Sequence, residues 1–134
     1  MEKNNCCLEN VLKVIDVLQR NADKFDECDE SCKRPFLGNI PNVVYFNTRP
    51  ISLYSCNTNL IETNYELSTG TTGVSSVYRV EEVNNCCVTC CVLAPNPDTT
   101  DENSPYIRSN TYITFNLNCI GAIRCLPDVI VNNC

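Results

Sequence analysis

Cys86-Cys87-Val88-Thr89-Cys90-Cys91-Val92-Leu93 is the stretch on which the fold turns. Read as an extended segment, it sends alternate side chains to opposite faces. Cys86, Val88 and Cys90 then share one face, and Cys87, Thr89 and Cys91 share the other. Adjacent cysteines are poorly placed to bond each other, because consecutive Cα atoms lie about 3.8 Å apart with diverging Cβ vectors, against about 5.5–6 Å in a relaxed disulfide. Their partners must come from other strands or other molecules. One pair is expected to face the sheet's own core, and the other solvent or a neighbouring subunit.

Working outward, Val77–Val83 alternates and leads through Asn84-Asn85, a turn of residues that tolerate positive φ, into the cysteine strand. Ile113, Phe115, Leu117 and Cys119 alternate with Thr114, Asn116 and Asn118, and the odd register continues through Gly121, Ile123 and Cys125. Gly121 allows a bulge or a break into two strands there. Val43–Phe46 and Ile51–Tyr54 read as short strands about the Asn47–Pro50 turn. Residues 57–76 read as a long connection with an irregular strand, and residues 95–106 as an exposed acidic loop. Upstream, Leu8, Val11, Leu12, Ile15 and Leu18 define the apolar face of an amphipathic helix, capped by Asn4 or Asn5 and ending near 21–24. Its expected role is a lid on the core, with partner binding as the alternative. The expected fold is mainly β: an antiparallel β-sandwich or barrel-like body with one N-terminal amphipathic helix. Residues 1–34 are its charged helical segment and 35–134 its cysteine-rich β domain, in one compact unit.

Twelve of the 134 residues are cysteine, a density that marks a disulfide scaffold in short secreted chains. Yet Met1–Leu12 has no basic region leading into an apolar run, so no signal peptide is read, and no stretch is long and apolar enough to span a membrane. Histidine is absent, which removes the commonest general base and zinc co-ligand, and the net charge of −6 disfavours a nucleic-acid partner. Beyond residue 34 there are only four basic and eight acidic side chains, against fifteen Asn and eleven Thr. Such a surface has little charge repulsion to keep copies apart.

Pro35–Gly38, Asn47-Thr48-Arg49-Pro50 with Leu53-Tyr54, Tyr78-Arg79-Val80-Glu81, the Cys87–Leu93 strand and Cys119-Ile120-Gly121-Ala122-Ile123-Arg124-Cys125-Leu126 follow one another in this order. Over roughly residues 28–129 the chain thereby resembles the CotY/CotZ/ExsY family of cysteine-rich spore coat and exosporium proteins of endospore-forming bacteria. It departs from the family pattern in its charged N-terminal helix, its compact central region, and Gly121, where a third cysteine of the C-terminal motif is expected. The resemblance implies a structural protein rather than an enzyme. It would be made in the mother-cell cytoplasm, assemble with itself and other coat or exosporium proteins into an ordered lattice on the spore surface, and be cross-linked by disulfides into a robust permeability barrier.

For the individual thiols, Cys6, Cys7 and Cys134 near the termini, with Cys87 and Cys91, are the candidates for bonds between subunits. Cys28, Cys32, Cys56, Cys86, Cys90, Cys119 and Cys125 are the candidates for internal bridges or buried thiols. No catalytic residue, cofactor or metal is assigned. The alternative function is a zinc-binding cysteine-rich interaction module built on Cys87-x2-Cys90 and Cys28-x3-Cys32. A thiol oxidoreductase using Cys87-x2-Cys90 is disfavoured, because that motif belongs at a helix N-terminus rather than in a strand.

Overall fold

The computed structural model describes residues 7–23 and 46–131. The expected helix cap at Asn4–Asn5, the Pro35–Gly38 turn, and positions 43–45 of the expected Val43–Phe46 strand lie outside the described residues. So do Cys6, Cys28, Cys32 and Cys134.

Among the described residues one helix, α1 (Cys7–Asp23), precedes seven strands: β1 (Ile51–Ser55), β2 (Thr63–Glu66), β3 (Thr72–Ser75), β4 (Tyr78–Asn84), β5 (Cys87–Pro95), β6 (Tyr106–Asn116) and β7 (Ile120–Cys125). Five form an antiparallel sheet in the order β6-β5-β4-β1-β7, and β2 and β3 pair as a separate antiparallel ribbon. The described residues are mainly β with a single helix at the N-terminal side, as the sequence periodicities require. The ribbon occupies the stretch read as an irregular connection. Its turn closes where Gly70 takes φ +93 and its amide donates to the Leu67 carbonyl at 2.9 Å.

The five-stranded sheet cannot lie flat. β1 touches β4 at a single register position, Ile51 opposite Tyr78. From that point β4 runs six residues to Asn84, whose level β6 reaches at Asn116 through Cys87. β1 runs the other way to Ser55, opposite Ile120. In a flat sheet Asn116 and Ile120 would be separated by about ten residue rises, or about 33 Å along the strands. The chain between them has four Cα–Cα steps, which reach about 14 Å at most. The β1–β7 pair must therefore fold back over β4, β5 and β6. The core agrees with this layering. Tyr78 and Val80 of β4, Val88, Cys90 and Val92 of β5, Ile51 and Leu53 of β1, and Leu117 and Ile120 meet in one buried cluster, against which Ile113 and Phe115 of β6 also pack.

The β4–β5 connection is one residue later than the Asn84-Asn85 turn read from the sequence. Asn84 pairs with Cys87, and Asn85 and Cys86 carry the turn with φ 49 and 64. Both values match a two-residue I′ hairpin, whose second position ordinarily takes glycine. Cys86 is thus a turn residue rather than the first residue of the strand. A bulge between Val80 and Glu82 then brings Tyr78, Val80 and Val83 to the same side.

The long C-terminal strand is broken at the 3-10 turn Leu117–Cys119 rather than at Gly121. Asn116 caps this turn by accepting from the Asn118 amide at 2.9 Å. The turn shifts the inward register by one, so Ile120 is buried where the alternation placed Cys119. Gly121 does mark an irregularity: Tyr54 pairs with Ala122 and Ser55 with Ile120, leaving Gly121 unopposed. A Cβ there would lie 2.8 Å from the Ser55 carbonyl oxygen and 2.9 Å from Cys56 Cα. The cysteine expected at this position from the family pattern has no room. Gly121→Cys is expected to lower unfolding stability by about 1–3 kcal/mol, the usual range for overpacking, as read from the urea midpoint.

α1 covers the core with Leu12 and Ile15, both buried, and with the half-buried Leu8. Val11 and Leu18, read as part of the same face, are instead 44% and 48% exposed, beside Val14 and Val17 at 59% and 55%. The helix is apolar on two sides, so spacing alone could not choose between them. Gln19 does. Its amide nitrogen donates to the Val80 carbonyl at 2.8 Å, beside the bulge, and its oxygen accepts from the Arg49 amide at 3.0 Å. Buried at 3% exposure, it satisfies two backbone groups that would otherwise lack partners.

Candidate functional site

The thiols of the described residues range from fully buried to exposed. Cys90 and Cys91 are fully buried, on opposite faces of β5: Cys90 in the main core, Cys91 in a smaller cluster with Leu93, Val129 and Val131. Burial pushes both thiols above the ordinary range, with Glu81 adding to the effect, while Arg108 partly opposes it at Cys91. Cys91 was expected to face outward with Cys87. It is covered because the C-terminal segment returns over that face, held where Val129 bridges Thr48. Cys87 lies at the uncovered end of the same strand and is exposed.

Cys7, Cys56, Cys119 and Cys125 are exposed as well. The sequence reading places the last three among internal or buried thiols. Cys56 follows β1 in a turn, the 3-10 turn rotates Cys119 outward, and Cys125 ends the outermost strand β7. Cys86 is half-buried, packs against the main core and contacts Asn118 Oδ1 at 3.7 Å. The fold therefore gathers Cys56, Cys86, Cys87 and Cys119 at one end, where the β4–β5 turn meets the 3-10 turn and the exit of β1. The Leu117 amide donates to the Cys86 carbonyl at 2.8 Å, and Cys56 Sγ contacts the Asn118 carbonyl at 3.8 Å.

A polar network that sequence reasoning missed lies beside Cys91. Arg79 is 3% exposed. Its Nε donates to Thr48 Oγ1 at 2.8 Å, one Nη to the Asn47 carbonyl at 3.2 Å, and the other Nη to Glu81 Oε2 at 3.2 Å. Arg108 reaches the same carboxylate oxygen at 3.1 Å and lies 3.3 Å from the Tyr112 hydroxyl. Burial works against the charge on Arg108, but Glu81, with Cys91 and Tyr112, outweighs it and holds its pKa above the ordinary value. The Asn47 side chain mimics a strand edge, donating to the Val131 carbonyl at 2.8 Å and accepting from its amide at 2.9 Å. Arg49 grips Asp128 with two hydrogen bonds of 2.8 and 3.1 Å. The Asn47–Pro50 and Tyr78–Glu81 motifs, thirty residues apart in sequence, are thus one structural unit that ties down the C-terminal segment. The clue was a low-charge chain keeping Arg79 and Glu81 within an apolar strand.

This arrangement can hold a layered body rigid and present thiols at its surface. It does not build a metal clamp: Cys87 and Cys90 diverge, one exposed and one buried. Among the described residues no group of three or more Cys, Asp or Glu side chains is placed to hold a metal ion, and no helix is long and apolar enough to cross a membrane. In fully reduced, folded protein, iodoacetamide is expected to label Cys7, Cys56, Cys87, Cys119 and Cys125 and to spare Cys90 and Cys91, because the thiolate is the nucleophile and burial disfavours it. Peptide mass spectrometry before and after denaturation checks this, and labelling of Cys90 or Cys91 at the rate of Cys87 would contradict it.

No curated protein and no solved structure matches the chain. A family model described as spore coat protein Z matches residues 1–107 of the 134. The motifs that carried the resemblance at Asn47–Pro50, Tyr78–Glu81 and Cys87–Leu93 fall inside that match, and the chain belongs to the spore coat protein Z family.

Proposed function

We propose that this protein is a structural subunit of the spore surface that packs with copies of itself, and with other coat or exosporium proteins, into an ordered layer locked by disulfides. The observation that carries the reading is the sorting of thiols. Among the described residues, two cysteines of the central strand are sequestered in the interior, while five others stand exposed. Thiols brought together by packed copies meet at high effective concentration, so they oxidise with each other in preference to random partners. Assembly would precede oxidation, which suits a chain made in the reducing mother-cell cytoplasm. The low-charge Asn- and Thr-rich body and the exposed Val11, Val14, Val17 and Leu18 on α1 favour contact between copies.

The test is electron microscopy of the purified protein with and without reductant. Ordered sheets or closed particles are expected, and after oxidation they should resist detergent until reductant is added. A protein that stays monomeric at high concentration, with no ordered assemblies, would refute the assembly. Assemblies indifferent to reductant would refute the cross-linking.

A further inference from the structure

The end of the molecule where β1 meets β7 carries a second kind of thiol chemistry. In the β1–β7 ladder Ser52 lies opposite Arg124, Leu53 opposite Ile123, Tyr54 opposite Ala122 and, past the bulge, Ser55 opposite Ile120. That last pair is flanked by the two cysteines: Cys56 follows Ser55 into a turn, and Cys119 ends the 3-10 turn just before Ile120. A disulfide requires Cβ atoms roughly 3.5–4.5 Å apart, so the two backbones must run close together here. They do run close: a Cβ on Gly121, two residues from Cys119, would lie 2.9 Å from Cys56 Cα. Cys56 Sγ already contacts the carbonyl of Asn118, the group bonded to the Cys119 amide nitrogen, at 3.8 Å. Both cysteines are exposed, so an oxidant can reach them.

We propose that Cys56 and Cys119 form a disulfide within one chain, stapling the exit of β1 to the 3-10 turn. The bond needs an oxidant, and a small-molecule disulfide R–S–S–R of the glutathione type suffices. The Cys56 thiolate attacks one sulfur of the reagent and releases the first RS⁻. The Cys119 thiolate then attacks Cys56 Sγ and displaces the second RS⁻. The two protons given up by the cysteines end on the two released thiols, so two Cys–SH and one R–S–S–R become one Cys–S–S–Cys and two R–SH. The staple would remove these two thiols from the pool that can bond neighbours, leaving Cys7, Cys87 and Cys125 among the described residues as the exposed candidates for that role. It goes beyond the assembly reading and holds whether or not copies pack together.

Trypsin makes the pairing readable. Cleavage after Lys33, Arg79, Arg108 and Arg124, with no cut at Arg34-Pro35 or Arg49-Pro50, yields peptide 34–79, whose only cysteine is Cys56, and peptide 109–124, whose only cysteine is Cys119. The full chain, unlabelled and ¹⁵N-labelled copies mixed before oxidation with glutathione disulfide, is digested without reduction. The expected product is 34–79 joined to 109–124, wholly light or wholly heavy. In Cys56→Ser, iodoacetamide labelling of Cys119 in the oxidised protein should rise at least tenfold. Mixed-isotope linkage, bonding of either cysteine to a different peptide, or unchanged labelling of Cys119 would overturn the proposal. Electron microscopy decides the assembly reading separately, so the two can fail independently.

Discussion

Replacing Arg79 by alanine is expected to lower the free energy of unfolding by about 3–5 kcal/mol, the cost of breaking a buried ion pair from one side. The guanidinium joins Thr48 Oγ1, the Asn47 carbonyl and Glu81. Its removal leaves a buried carbonyl and a buried hydroxyl without this donor, and takes from the Glu81 carboxylate one of the two guanidiniums that reach it. Arg79→Lys should recover only a minor part of the loss, since an ammonium cannot reproduce the planar fork that reaches all three groups. Urea titrations of the three proteins decide it. A loss below about 1 kcal/mol, the usual ceiling for an exposed pair, would show that the network contributes no more than a surface salt bridge.

The second large effect lies one residue away on the opposite face. Tyr78 is fully buried. Its ring meets Phe115 edge-on, with centroids 5.3 Å apart and planes at 80°. Its hydroxyl donates to the Ile61 carbonyl at 3.0 Å and accepts from Thr63 Oγ1 at 2.8 Å. Burial pushes the phenol above its ordinary pKa, which keeps this donor protonated. Tyr78→Ala is expected to cost about 3–5 kcal/mol through lost burial and the cavity left behind. Tyr78→Phe should cost about 0.5–1.5 kcal/mol, the net value of a typical hydrogen bond. The contrast separates the ring, which joins the two layers, from the hydroxyl, which anchors the segment leading into β2. Equal losses in the two variants would contradict that division.

Tyr78-Arg79-Val80-Glu81 thus serves both faces of one strand, and its four residues show how far sequence reading reaches. Alternation places Tyr78 and Val80 on one side and Arg79 on the other, which is correct. It gives no warning of the bulge after Val80, because a bulge is set by how β4 registers with β5. The same limit explains the β4–β5 turn. Asn tolerates positive φ, so Asn84-Asn85 was the natural reading, but pairing Asn84 with Cys87 pushed the turn onto Asn85-Cys86. The stretch holding β2 and β3 reads as a long connection with an irregular strand because its Asn, Thr and Gly residues carry a weak strand signal.

The sequence by itself determined the mainly β architecture, the single amphipathic helix, the extended Cys87–Leu93 segment with Cys90 and Cys91 on opposite sides, and the spore coat family. These follow from local periodicity and from motifs that stay close together along the chain. Only the tertiary structure decided which thiols are covered. Cys91 and Cys87 sit on the same face of one strand, yet Cys91 is buried by Val129 and Val131 and Cys87 is not. It also decided that Gln19 rather than Val11 or Leu18 faces inward, and that Cys119 turns outward where Ile120 turns in. Each outcome depends on a segment remote in sequence arriving over a particular residue, and the period of a strand or helix carries no record of what will cover it.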